Sequence, residues 1–170
     1  MISNGKFLID SNVFIESKNF AYHFDYCKIF WDFLLALHHK GLVYSINSVK
    51  KELCKKEDHL FNWIKEELPK TFFEDEMTSL SNYAKLINWS SSLDVTEKAK
   101  ADFANHEKAD AFLIAHAMTH GFTIITHERP SGGAPKKRIM IPDAACANGV
   151  KTLTLYEFLP AYASHNFSMK

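Results

Sequence analysis

The chain has 170 residues, 46% of them apolar and 24% charged, with twenty basic residues against twenty acidic ones. That composition excludes a disordered polar chain and allows one domain, 1–170, with a sizeable core. No apolar run reaches the roughly 20 residues a membrane helix needs, MISNGKFLIDSNVF has no secretion-signal pattern, and balanced charge gives no general attraction for nucleic acid, so the expectation is a cytoplasmic protein whose partners must be read from a site.

Phe7-Leu8-Ile9 is a short apolar run closed by Asp10, which predicts a buried strand, with Ser11-Asn12 as helix-cap chemistry behind it. Cys27, Phe30, Trp31, Leu34, Leu35 and Leu37 recur at helical spacing, predicting a helix over 24–40 that Gly41 ends. Val43–Ile46 reads as a second strand, and Asn47 or Ser48 as the cap of a helix carrying Val49, Glu52 and Leu53. Residues 55–105 read as helical throughout, broken near Pro69 and Ser90–Ser92, with a fresh start at Thr96-Glu97. A strongly periodic helix over 106–120 stops at Gly121. Strands follow at 122–126, 138–141 and 150–154, and LYEFLPAY makes a last short helix. The one Gly/Pro-rich patch, 128–138, is a loop. Strands too apolar to face water, alternating with helices, imply an α/β fold with a parallel sheet covered on both faces. Cys27, Cys54 and Cys146 are odd in number and form no CxxC pair, which predicts small buried hydrophobes.

Ligands of open parallel sheets bind beyond the carboxyl ends of the strands. Asp10 and Glu128 stand at such ends, although an acid there is also a common turn or cap residue. Asp110 is more telling: Leu113, Ile114 and Ala117, three, four and seven residues on, form an apolar stripe, so Asp110 begins the face that packs inward. A partly desolvated carboxylate there needs a partner. Glu52 likewise shares the inward side with Val49, with Lys50, Lys51, Lys55 and Lys56 outward. Carboxylates converging on one sheet edge raise one another's pKa unless a cation neutralises them. An all-oxygen cluster suits Mg²⁺ or Mn²⁺, ions that bind phosphates and lower the pKa of water for phosphodiester hydrolysis. Asn12 points a neutral amide at the same place.

The succession FLIDSN, SVKKEL, KADAFLIAHAM, TIITHE resembles PIN-domain ribonucleases, whose best-known bacterial members are the toxins of toxin–antitoxin pairs. The resemblance covers essentially the whole chain. It is similar in particular to a small PIN-like bacterial family of unknown function with LIDSNVFIESKN, VYSINSVKKEL and IPDAACANGV. This resemblance implies a three-layer sandwich with a twisted five-stranded parallel sheet in the order 3-2-1-4-5. It also implies an Mg²⁺- or Mn²⁺-dependent endoribonuclease, with the metal on Asp10, Glu52 and Asp110 and Asn12 in support. RNA as substrate, an antitoxin protein and a homodimer come with it. PIN domains usually have an Asp as fourth acid; here Thr126-His127-Glu128 offers a Glu, and Asp143 after Ile141-Pro142 is a second candidate. Both stand open.

Arg129, Lys136, Lys137 and Arg138 bracket the Gly/Pro loop beside Glu128 and are expected to steer a phosphate backbone. His116 and His120, spaced i and i+4, lack a third ligand and read as structural, with His120 favoured at a helix C-terminus. His127 reads as a loop residue. The rival function is a catalytically idle PIN-like protein-binding module. A receiver-type phosphorylation domain would need an acidic pair in the first loop, which Asp10-Ser11-Asn12 lacks.

Overall fold

The computed structural model describes residues 5–132 and 137–170. Its centre is β1 (Phe7–Ile9), all three residues buried. On one side lie β2 (Val43–Ile46) and then β3 (Phe73–Glu74); on the other, β4 (Thr123–Ile125) and then β5 (Thr152–Leu153). Every pairing is parallel and the order is β3-β2-β1-β4-β5, with Ile9 opposite Ile125.

Helices flank this sheet: α1 (Ser11–Asn19), α2 (Lys28–His39), α3 (Asn47–Leu53), α4 (His59–Glu66), α5 (Leu80–Ser91), α6 (Glu97–Phe103), α7 (Asp110–His120), α8 (Ile141–Ala147) and α9 (Leu155–Tyr162). Right-handed crossovers put the helices between β1, β2 and β3 on one face, and those leading to β4 and β5 on the other. The contacts agree: α1 packs on α3 and α4, while α7 packs on α5 and α8. The result is a three-layer α/β sandwich. Trp31 and Trp63, both buried, meet edge to face at 4.9 Å, and Phe24 stacks on Trp31 at 4.2 Å. Phe7 reaches α9 through Phe158 and Tyr162. Among the described residues, no helix is long and apolar enough to cross a membrane.

Four expectations need correction. Residues 138–141 are not a strand: Ile141 begins α8, its N–H donating to a Glu128 carboxylate oxygen at 2.8 Å, with Pro142 in the first turn. Pro has no N–H for a sheet ladder but suits the start of a helix. Ile139 and Ile141 are buried as anchors of this connection, so their apolarity had another cause. The missing strand is Phe73–Glu74, inside a stretch read as helical; 3₁₀ turns at Lys70–Phe72 and Glu76–Ser79 flank it. Two residues are too few for a periodicity to register.

The α3 cap also differs. Neither Asn47 nor Ser48 caps with its own side chain; the buried Glu76 carboxylate accepts from the Asn47 N–H at 3.1 Å and from the Ser48 hydroxyl. Finally, Cys146 is exposed, and Cys27 and Cys54 are half-buried, so none is a fully buried hydrophobe.

Candidate metal centre

The strand order reverses between β1, whose chain continues into β2, and β4, which arrives from the far edge. Beyond the carboxyl ends of these neighbours is the crevice where such sheets bind ligands. Asp10 follows β1 and Thr126–Glu128 follows β4. Glu52 comes from the last turn of α3, and Asp110 is the first residue of α7. These acids line a cleft of about 810 Å³ together with Ser11, Asn12, Lys137 and Arg138, walled on one side by α6.

Asp10 is buried and caps α1. One oxygen accepts from the Ser11 N–H at 2.7 Å, the other from the Thr126 hydroxyl at 2.8 Å. Thr126, itself buried, also accepts from the Asn12 amide at 3.3 Å and from the Glu128 N–H at 3.1 Å. Asn12 in turn accepts from the His127 N–H at 3.1 Å. The β1 and β4 ends are thereby stitched together, and Asn12 serves this frame besides facing the cleft. Thr126 was missed from sequence; its only signal is a hydroxyl ending an otherwise apolar strand.

Glu52 accepts the Ala109 N–H at 3.0 Å through one oxygen, capping α7 from another element, and its second oxygen has no protein partner among the described residues. That bond starts the helix at Asp110, so 106–109 are turn and not helix as expected. Asp110 accepts no hydrogen bond among the described residues. The nearest cation among them is Arg138, at 3.7 Å.

Burial and the charges of Asp110 and Glu128 push the Asp10 carboxyl up to about 8, against the opposing hydrogen bonds of Thr126 and Ser11. Burial, Glu128 and Glu52 raise Asp110 to about 6, with Arg138 opposing. Both shifts come first from burial, with the neighbouring negative charges adding to it beyond what the opposing groups offset. The donors are hard oxygens, and several lone pairs face the cleft. An Mg²⁺ or Mn²⁺ fits that chemistry. The acids are not yet a closed cage: among the described residues, no three His, Cys, Asp or Glu side chains converge closely enough to hold an ion as they stand. Mutual repulsion gives a physical reason, since among the described residues only Arg138 and, more weakly, Lys108 offset the charge of Asp110.

The other expected site residues divide. Glu128 lines the cleft, but both its oxygens are engaged, one by Arg138 and one by the Ile141 N–H. Asp143 does not line it; its carboxylate accepts the Ser131 N–H at 3.0 Å and holds the loop. Of the four basic residues, Lys137 and Arg138 line the cleft, whereas Arg129 lines a smaller neighbouring pocket that Thr126 and Glu128 share, beside β5 and α9. Lys136 lies outside the described residues. Lys55, Lys98 and Lys108 stand at the cleft although sequence gave no reason to choose them. Lys55, Lys98 and Lys137 have no acidic partner among the described residues, while Lys108 pairs with Asp102 at 3.2 Å.

His116 is structural in its contacts. It is buried, one ring nitrogen 2.7 Å from Glu74 and the other 3.0 Å from the Ser79 hydroxyl, and burial lowers its pKa. His120 meets Thr78 at 3.1 Å, and His127 packs toward Glu16 and Tyr156 away from the cleft.

A family model described as "Domain of unknown function (DUF4411)" matches residues 7–165. No curated protein and no solved structure matches the chain.

Proposed function

The chain belongs to the DUF4411 family, and we propose that it is a PIN-like, Mg²⁺- or Mn²⁺-dependent endoribonuclease, the toxin of a toxin–antitoxin pair. The observation that carries this reading is Asp110, a mostly buried carboxylate without a hydrogen-bond donor among the described residues, beside a buried Asp10 whose pKa is pushed to about 8. Uncompensated acids at a sheet's ligand-binding edge are costly, and they persist where function needs them. Asp10, Asp110 and Glu52 would hold the ion, with Glu128 the nearer candidate for fourth acid because Asp143 faces the loop. A bound divalent ion supplies charge on a phosphate oxygen and lowers the pKa of water at neutral pH. Thr126 and Ser11 fix the Asp10 carboxylate in place. Lys55, Lys98 and Lys137, without acidic partners among the described residues, attract the phosphate backbone that the overall neutral charge does not. The antitoxin protein and homodimer rest on the PIN resemblance.

A second reading, an idle PIN-like protein-binding module, is favoured by one observation: Glu128 has neither oxygen free. Incubation of purified protein with single-stranded and structured RNA separates the two. Cleavage is expected with Mg²⁺ or Mn²⁺, and its loss with a chelator. RNA left intact at every metal concentration contradicts the nuclease and favours the module.

A further inference from the structure

We infer that Arg138 is a built-in counter-cation of the acidic cleft, occupying one Glu128 oxygen and neighbouring Asp110 until a divalent ion displaces it. The inference rests on the metal site proposed above and deepens it by naming what the ion must compete with.

Three observations converge on Arg138. First, its guanidinium bonds one Glu128 oxygen and lies 3.7 Å from Asp110, so it bridges carboxylates from the loop after β4 and from α7. Second, the placement is fixed from both ends. Glu128 holds the guanidinium with one oxygen and the Ile141 N–H with the other, and Ile139 is buried between them. Third, the Arg138 side chain is 59% exposed while that of Glu128 is only 8%. Little packing is lost when the guanidinium leaves, whereas the carboxylate stays aimed into the cleft.

The other groups facing these acids do not offer the same compensation. Lys108 acts on Asp110 less than Arg138 does and is paired with Asp102, and Lys55, Lys98 and Lys137 line the cleft without an ion pair to an acid among the described residues. An Arg fork takes two carboxylates without closing around them as a small cation would, because its charge is spread over a plane. It relieves the repulsion and leaves the first coordination sphere open. An ion that takes Glu128 must therefore first break an exposed pair, which holds only weakly.

The expected consequence runs against intuition for an active-site arginine: removing it tightens metal binding. Calorimetric titration of the full chain with Mn²⁺ tests this on wild type, Arg138→Ala, Arg138→Gln and Arg138→Lys. Ala and Gln remove the competing charge and are expected to bind Mn²⁺ about fivefold tighter, the scale of one exposed ion pair. Lys keeps a charge and is expected to stay within about twofold of wild type. Circular dichroism melts establish that each variant is folded. If wild type binds Mn²⁺ and Ala and Gln bind it equally or more weakly, Arg138 is no competitor, and the inference falls while the metal site stands. If no variant, wild type included, binds Mn²⁺, the metal site falls and takes this inference with it.

Discussion

Asp10→Asn and Asp110→Asn are each expected to lower Mn²⁺-dependent RNA cleavage at least about 100-fold, the scale seen when one preorganised electrostatic group is lost from a reacting centre. Asn keeps the shape of Asp and removes its charge. At position 10 it still offers an oxygen to the Ser11 N–H, so the α1 cap survives. At position 110 no hydrogen bond is lost, because the carboxylate accepts none among the described residues; only the 3.7 Å contact to Arg138 goes. At position 110 the loss of activity is therefore chargeable to charge; at position 10 the amide nitrogen also cannot accept from the Thr126 hydroxyl, and a circular dichroism melt checks that this variant is folded. Asp143→Asn is the matched control: its side chain holds the Ser131 N–H outside the cleft, and cleavage should stay within a few-fold of wild type. Single-turnover cleavage of a labelled RNA reads all three. Cleavage surviving both cleft substitutions would place the chemistry elsewhere.

Thermal stability gives a second readout, independent of any substrate. Folded Asp10 and Asp110 hold their protons more tightly than the unfolded chain does, since their pKa values rise from 3.8 to about 8 and about 6. A raised acid stabilises the fold in its protonated form. The metal-free protein should therefore be favoured at low pH and lose that favour as pH climbs from 4 through 6 and on to 8. At pH 8 Asp110→Asn should melt above wild type without metal, because it removes one repelling charge, and at pH 5 the gap should be smaller. Mn²⁺ at a hundred times its dissociation constant adds about 2.7 kcal/mol to the wild type. For a chain of this length that is a rise of about 5–10 °C. The mutant should gain much less. If Asp110 were only a favourable acid at a helix N-terminus, its loss would instead lower the metal-free midpoint at both pH values.

The difference between what the sequence announced and what it concealed is physical. Asp10 and Asp110 were legible because each adjoins a strong pattern, the FLI strand and the Leu113-Ile114-Ala117 stripe, that fixes which way its neighbours face. Gly121 was legible for a similar reason: its φ of 74° closes α7 in the left-handed region that a glycine adopts freely. Hidden were contacts made across the fold. Nothing local to Glu52 tells that it caps α7, nor does anything near Glu76 mark it as the cap of α3. The Ile139-Met140-Ile141 run showed apolarity without its cause, which is a buried connection into α8. α6 brings Lys98 to the cleft from a stretch whose pattern says only that it is helical. The five-stranded order came from resemblance, and it holds although one expected strand is replaced by Phe73–Glu74.

The most direct test is to see the ion. Crystals of the wild-type protein grown with Mn²⁺, measured at a wavelength where manganese scatters anomalously, should give one strong peak in the cleft, with carboxylate oxygens of Asp10 and Asp110 roughly 2.0–2.3 Å away. Glu52 or Glu128 should complete the protein ligands, with Asp143 still on the Ser131 N–H. A peak outside the cleft, or a cleft without one at saturating Mn²⁺, would contradict the account.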